Sequence, residues 1–271
     1  MEMQFYCPRW GSEQINWEDF FLRVIGAGYN GIEWGISRDA SEGEMEKVWN
    51  LVEKHKLKII IGHYDTYESD FSEHFDLYCA WLEKIKPYPC EKVNSQTGKD
   101  FFRFEQIRSL IQETDRFTKQ TGIAVVHETH RNKFTFAAHI TKEYLEKIPD
   151  LKITLDASHW VCVAESFLED QAQAIDLAIL RAEHIHARVG YPEGPQVPDP
   201  RVTQWQHALN MHLFWWDRIA ERKKKDNSVL TITPEFGPHP YMVSLPASGE
   251  PITNQWDVNV FMMDLLKERY S

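Results

Sequence analysis

Short β-prone runs recur along the chain: MQFYCP near position 5, GIEWGI near 32, KIIIGH near 60, EKVNS near 93, IAVVHE near 125, KITLDA near 154, EHIHARV near 185 and VLTITPEF near 232. The intervals between them are 27, 28, 33, 32, 29, 31 and 47 residues. Such spacing leaves room for a helix between strands, which a parallel pair needs and a hairpin does not. The segments between the runs carry helical periodicity. Trp17, Phe20, Phe21, Val24 and Ile25 fall at i, i+3, i+4, i+7 and i+8, behind Asn16 as N-cap and with Glu18 and Asp19 in the first turn. Ser41 and Glu44 form a capping-box pattern before Met45, Val48, Trp49 and Val52. Ile107, Leu110, Ile111 and Thr114 lead to Gly122 as a stop. Segments 71–86, 141–148, 169–182, 203–222 and 254–270 repeat the pattern more weakly.

Eight strands alternating with eight helices predict a (β/α)8 TIM barrel, with residues 1–271 forming one domain. A doubly wound open sheet competes with it, and the count of eight favours closure. The long last interval holds YPEGPQVPDPR, residues 191–201, whose four prolines and lack of alternation predict a Pro-rich loop after the seventh strand. That loop is either an inert insertion or a lid over the barrel mouth.

Composition narrows the partners. A hydrophobic fraction of 42% supports a sizeable core, and a formal charge of −11 provides no positive field for nucleic acid or anionic lipid. The basic run Arg222–Lys225 reads as a solvated helix end, where cations offset the helix dipole. Cys7, Cys79, Cys90 and Cys162 have neither disulfide-framework nor zinc-knuckle spacing and are expected to be reduced and buried. No apolar stretch approaches the ~20 residues of a membrane span and no signal-peptide pattern opens the chain, so a soluble cytoplasmic protein is expected.

Two motifs mislead. Gly26, Gly28 and Gly31 match GxGxxG, but they end a helix and lead into a strand, the reverse of the order that presents a helix N-terminus to pyrophosphate. A helix cap and turn is the better reading. His127-Glu128-Thr129-His130 is one residue short of HExxH and continues a strand, so a zinc protease is rejected.

In such a barrel the C-terminal strand ends build the site. The fifth run ends in Glu128, the sixth in Asp156 with His159 beyond, the seventh in His184, His186 and Arg188, and the eighth in Glu235. Carboxylates converging on one mouth repel one another unless a cation neutralises them, and imidazole with carboxylates suits Mn²⁺, Co²⁺ or Zn²⁺. One divalent metal ion held by Glu128, Asp156, His186 and Glu235 is therefore expected. His184 shares a strand side with His186 but lies deeper, so it is expected to support the ligand from behind.

These residues carry a family resemblance. Glu128 in VVHE, Asp156 and His159 in DxxH, HxH at 184–186 and Glu235 in TPEF resemble the sugar phosphate isomerase/epimerase family of xylose isomerase-like barrels, especially the ketose 3-epimerases, over nearly the whole chain. The resemblance implies a Glu, Asp, His, Glu metal site, Glu128 and Glu235 as the catalytic acid/base pair, and His159 as a substrate contact. The chain departs from the pattern where Pro192 occupies the place, six residues after the ligand His, at which ketose 3-epimerases usually carry Arg.

The expected chemistry is proton transfer next to a ketose carbonyl through a metal-stabilised ene-diolate, giving epimerisation or aldose–ketose isomerisation of a sugar or sugar phosphate. Arg188 is expected either to orient substrate or to pair with a barrel carboxylate. Glu33 and His63 are further candidate contacts, and Trp10, Trp34 and Trp160 either stack on a sugar or pack in the core. The alternatives are a metal-dependent dehydratase of a cyclic polyol ketone and a carbohydrate-binding barrel without turnover. An apurinic endonuclease-like phosphodiesterase is disfavoured by the acidic charge. Assembly into a homo-oligomer is left open.

Overall fold

A computed structural model describes residues 2–271. Strands β1 (Met3–Pro8), β2 (Gly31–Gly35), β3 (Lys58–His63), β4 (Lys92–Ser95), β5 (Val125–Glu128), β6 (Ile153–Leu155), β7 (Ala182–His186) and β8 (Leu230–Thr233) pair in sequence order. All pairs are parallel, and β8 closes onto β1. The chain is thus a (β/α)8 TIM barrel, and each β-prone run is one of its strands.

The helices are α1 (Trp17–Ala27), α2 (Glu42–His55), α3 (Phe71–Ile85), α4 (Phe104–Thr121), α5 (Ala138–Lys147), α6 (Ala157–Ala164), α7 (Ala172–Arg181), α8 (Gln206–Lys225, preceded by the 3-10 turn Thr203–Trp205) and α9 (Gln255–Tyr270). Asn16 caps α1 through a bond from the Asp19 amide, and Gly28 ends it at φ 82°, a left-handed conformation that glycine adopts without Cβ strain. The glycine-rich stretch is therefore a helix stop. Ser41 caps α2, but only half of the expected box forms, because the Glu44 carboxylate instead accepts from Trp17 Nε1. No apolar stripe announces α6. It starts where Asp156, at the end of β6, caps it through the Ser158 amide.

The strands sort their side chains by parity. One set, including Ile32, Ile59, Ile61, Val93, Ile185 and Ile232, belongs to the buried apolar core. The other set fills the barrel with polar groups: Gln4, Glu33, Asn94, Glu128, His184, His186 and Thr233 are all buried. Gly31 allows β1 and β2 to approach β3, since a Cβ there would lie 2.2 Å from the Lys58 carbonyl oxygen.

Two expectations change. The basic run at the end of α8 is not fully solvated: Lys223 is buried and paired with Glu183, which Arg222 also contacts. All four cysteines are free, but only Cys7 is fully buried. No helix among the described residues is long and apolar enough to cross a membrane.

Candidate active site

The C-terminal ends of the strands open into a cavity of about 720 Å³ whose wall includes Glu33, Asn94, Glu128, His130, Arg188 and Glu235. Glu128, Asp156, His186 and Glu235 each offer one atom to a set lying within 4.8 Å of one another. Sequence reading names all four, although they come from β5 to β8 and the residues just beyond.

His186 is held from behind. Its Nε2 lies 3.0 Å from Glu33 Oε1, while Nδ1 lies 2.9 Å from Glu235 Oε2 and 3.6 Å from Glu128 Oε1. Glu33 in turn accepts from Thr233 Oγ1 and Asn94 Nδ2 and contacts His184 Nε2 at 3.2 Å. A carboxylate behind an imidazole selects the tautomer that frees the other nitrogen, an arrangement usual at metal-binding histidines. Glu33, His184 and His186 also form a compact buried group of their own.

The donor set fits a divalent cation. Glu128 Oε1 and His186 Nδ1 are buried and make no directed hydrogen bond, despite the nearby Glu235 oxygen. Three carboxylates, Glu128, Asp156 and Glu235, face one guanidinium, Arg188, leaving a charge of −2 for one such ion to balance. The protonation tendencies agree. Burial works against a charged His186, but the Glu235, Glu33 and Glu128 carboxylates nonetheless raise its pKa well above the usual imidazole range. The cluster holds a proton where a cation competes for the same lone pair.

The two glutamates are driven apart. Burial opposes ionisation of Glu128, yet His186 dominates together with its contacts and brings the carboxyl down to about 2. Burial, reinforced by Glu128, pushes Glu235 up against the influence of His186.

Arg188 takes the pairing role of its two expected roles. Its Nη2 lies 2.5 Å from Asp156 Oδ2 and 2.7 Å from His159 Nε2, and Nε donates to Ser158 Oγ at 3.2 Å. It also lines the cavity, with its guanidinium 4.7 Å from the Tyr241 ring centroid. His159 is fully buried and accepts from Arg131 Nε at 3.1 Å.

The remaining predicted contacts divide between the cavity wall and the core. Trp160 is buried and donates Nε1 to the Thr135 carbonyl, so it is a packing residue. His63 lines the cavity, but its ring packs against Tyr78 and Trp81 of α3 and its Nε2 bonds Thr66 Oγ1 at 2.7 Å. Trp34 also lines the cavity while its ring meets Trp17 of α1 edge-on. Trp10 stands at the wall, edge-on to Tyr241 at 5.2 Å.

Sequence reading missed His130. It lies two residues past Glu128, lines the cavity and meets His159 with centroids 4.0 Å apart and ring planes tilted by 53°. Its Nδ1 faces the Arg131 carbonyl at 2.6 Å, so the N–H is donated there and Nε2 remains a base. The period-two spacing of HETH contained this signal, which the comparison with HExxH obscured. Asn94, Gln96 and Tyr241 were also missed, because nothing local distinguishes them from ordinary strand and loop residues.

No family model matches the chain, and no curated protein does. Among solved structures the chain is similar to the probable 3-DHS dehydratase AsbF, involved in petrobactin synthesis, from Bacillus anthracis, at 17% identity and a TM-score of 0.62, covering 99% of this chain and 100% of that one. It is also similar to the AsfvAP:AG structure, at 11% identity and a TM-score of 0.59 over 99% of both chains. At these identities the likeness establishes the barrel fold.

Proposed function

We propose that the protein is a divalent-metal-dependent enzyme that moves a proton at the carbon next to the carbonyl of a sugar or polyol ketone. The observation that carries this reading is the convergence of Glu128 and Glu235 on His186 Nδ1 beside Asp156, in one compact set of ligand atoms at the cavity mouth. A divalent cation bound by Glu128, Asp156, His186 and Glu235 supplies Lewis acidity at the carbonyl oxygen.

Ionised Glu128 takes the proton from the adjacent carbon. Asn94 and Gln96 donate to its Oε2 at 3.1 and 3.3 Å and so orient the carboxylate. Glu235 returns a proton, which gives epimerisation or isomerisation according to the carbon that receives it. Arg188 holds Asp156 in place through its Nη2 contact, and Glu33 fixes the His186 ring.

A second reading, dehydration, is favoured by His130. Its free Nε2 on the cavity wall lies close enough to Glu128 to accept the proton that Glu128 has abstracted and hand it to a leaving hydroxide, and the AsbF structure is named as a probable dehydratase. One experiment covers both. Deuterium wash-in from D₂O, followed by NMR with Mn²⁺-loaded and chelator-treated protein, detects proton abstraction, while ultraviolet absorbance detects the conjugated enone of a dehydratase. Glu128→Gln is expected to reduce exchange at least ~10²-fold, the scale of a lost general base, with the barrel still folded. Undiminished exchange in that variant removes Glu128 from the role of base.

A further inference from the structure

The proton-transfer scheme leaves the cavity-wall ammonium of Lys133 unused. Lys133 lies in the turn between β5 and α5, lines the cavity and is only 3% exposed. Its Nζ has no hydrogen-bond partner among the described residues. Burial, with Lys99 adding to it, lowers the ammonium pKa to about 8, so the group is still mostly protonated at pH 7. A buried ammonium without a partner is costly, and such a group is usually satisfied by something that binds.

Its placement is fixed by the backbone. The Lys133 amide donates to the His130 carbonyl at 3.2 Å, and its own carbonyl accepts from the Phe136 amide at 3.0 Å. The ammonium lies 5.9 Å from the ring centroid of Tyr67, another wall residue. Of the other cations of the wall, Arg188 and Arg131 are engaged by side chains, and Arg9 through Nη2 only, its Nη1 having no hydrogen-bond partner among the described residues. Arg188 is held by Asp156 and Arg131 by His159 and Tyr241, while Arg9 donates Nη2 to the Glu13 and Ile15 carbonyls and rests on Trp17.

We propose that Lys133 binds the carboxylate of the substrate, which makes the substrate class a keto sugar acid or acidic polyol ketone rather than a neutral ketose. This rests on the proton-transfer reading and names the substrate class for it. One ammonium matches the single charge of a carboxylate. A phosphate dianion calls for several convergent donors, and its second charge adds repulsion in a cavity walled by Glu33, Glu128 and Glu235.

The test compares D-fructose, D-fructuronate and D-fructose 6-phosphate, which differ only at C6, by calorimetric titration of Mn²⁺-loaded protein. D-fructuronate is expected to bind about tenfold or more tightly than D-fructose, the scale of one charge-assisted hydrogen bond. Lys133→Met should bring it down to the level of the neutral sugar, and Lys133→Arg should keep part of the preference. Should Lys133→Met fail to fold, Lys133→Gln serves the same comparison. Equal affinities, preference for the phosphate, a carboxylate preference that survives loss of the ammonium, or no measurable binding of D-fructuronate each overturns the assignment. Deuterium wash-in on the same samples separates the two claims. Lys133-dependent binding without exchange refutes proton transfer alone, and exchange without any carboxylate preference refutes the Lys133 subsite alone.

Discussion

Arg188 and Asp156 are both almost completely buried and in direct contact. A buried ion pair is weak evidence of net stabilisation, but removing one partner leaves the other charged and desolvated, a loss of about 3–5 kcal/mol. Arg188→Met is therefore expected to lower the melting temperature by on the order of 10 °C for a chain of this size, and scanning calorimetry reads it directly. Arg188→Lys keeps the charge but not the planar fork, so its loss should be smaller. An unchanged melting temperature in Arg188→Met would mean that Asp156 does not depend on the guanidinium. The same contact explains why sequence reading kept two roles open for Arg188: the side chain pairs with Asp156 and also faces the cavity.

At the level of elements, the site depends on how the segment after β7 crosses α6. Gly190 lies against the first turn of α6, and a Cβ there would sit 2.7 Å from the Ser158 carbonyl oxygen and 2.8 Å from Ser158 Cα. Backbone atoms cannot swing aside as a flexible side chain can. Gly190→Ala should thus displace Ser158, which donates its amide and hydroxyl to Asp156 Oδ1. The expected cost is about 1–3 kcal/mol of stability, typical of overpacking. Apparent Mn²⁺ affinity should fall with it, as measured by electron paramagnetic resonance titration, and an alanine variant with unaltered affinity would show that the turn yields without moving Asp156. Helix α6 was itself illegible beforehand. It is one short element between β6 and α7, and its start is set by Asp156, a residue legible in sequence for metal chemistry and not as a helix cap.

For the molecule as a whole, a fold that buries neutral imidazoles between its strands and helices is sensitive to acid. Burial lowers His127 to about 3 and His212 to about 4, although the Ala208 carbonyl partly opposes this at His212. The unfolded chain takes up these protons below about pH 6.5 and the folded chain does not, so stability is full above that pH and falls toward pH 3–4. Each histidine should remove about 2 kcal/mol between pH 7 and pH 5. Urea denaturation at the two pH values checks the sum. A midpoint that stays constant would mean that these rings are not held neutral in the fold.

Much of this architecture is written locally. The periods of two and 3.6 arise from each strand and helix burying its own apolar side, so eight strands, their order and most helices follow from sequence. The chemistry at the strand ends is legible for the same reason, since Glu128, Asp156, His186 and Glu235 each end or follow a recognisable run. Pairing across the barrel is not local. Closure brings Glu33 to His186, Asn94 to both Glu33 and Glu128, and Arg188 to Asp156, although these residues lie 153, 61, 34 and 32 positions apart. Parity around the closed sheet also turns His63 and Trp34 toward helices, and the packing of α6 buries Trp160 against Thr135. It leaves Lys133 in the cavity wall without a partner. Sequence alone determines which elements form, because hydrophobic burial acts on each segment's own periodicity. The tertiary structure decides which charges meet and which stay unmatched, because that depends on distances set only when the barrel closes.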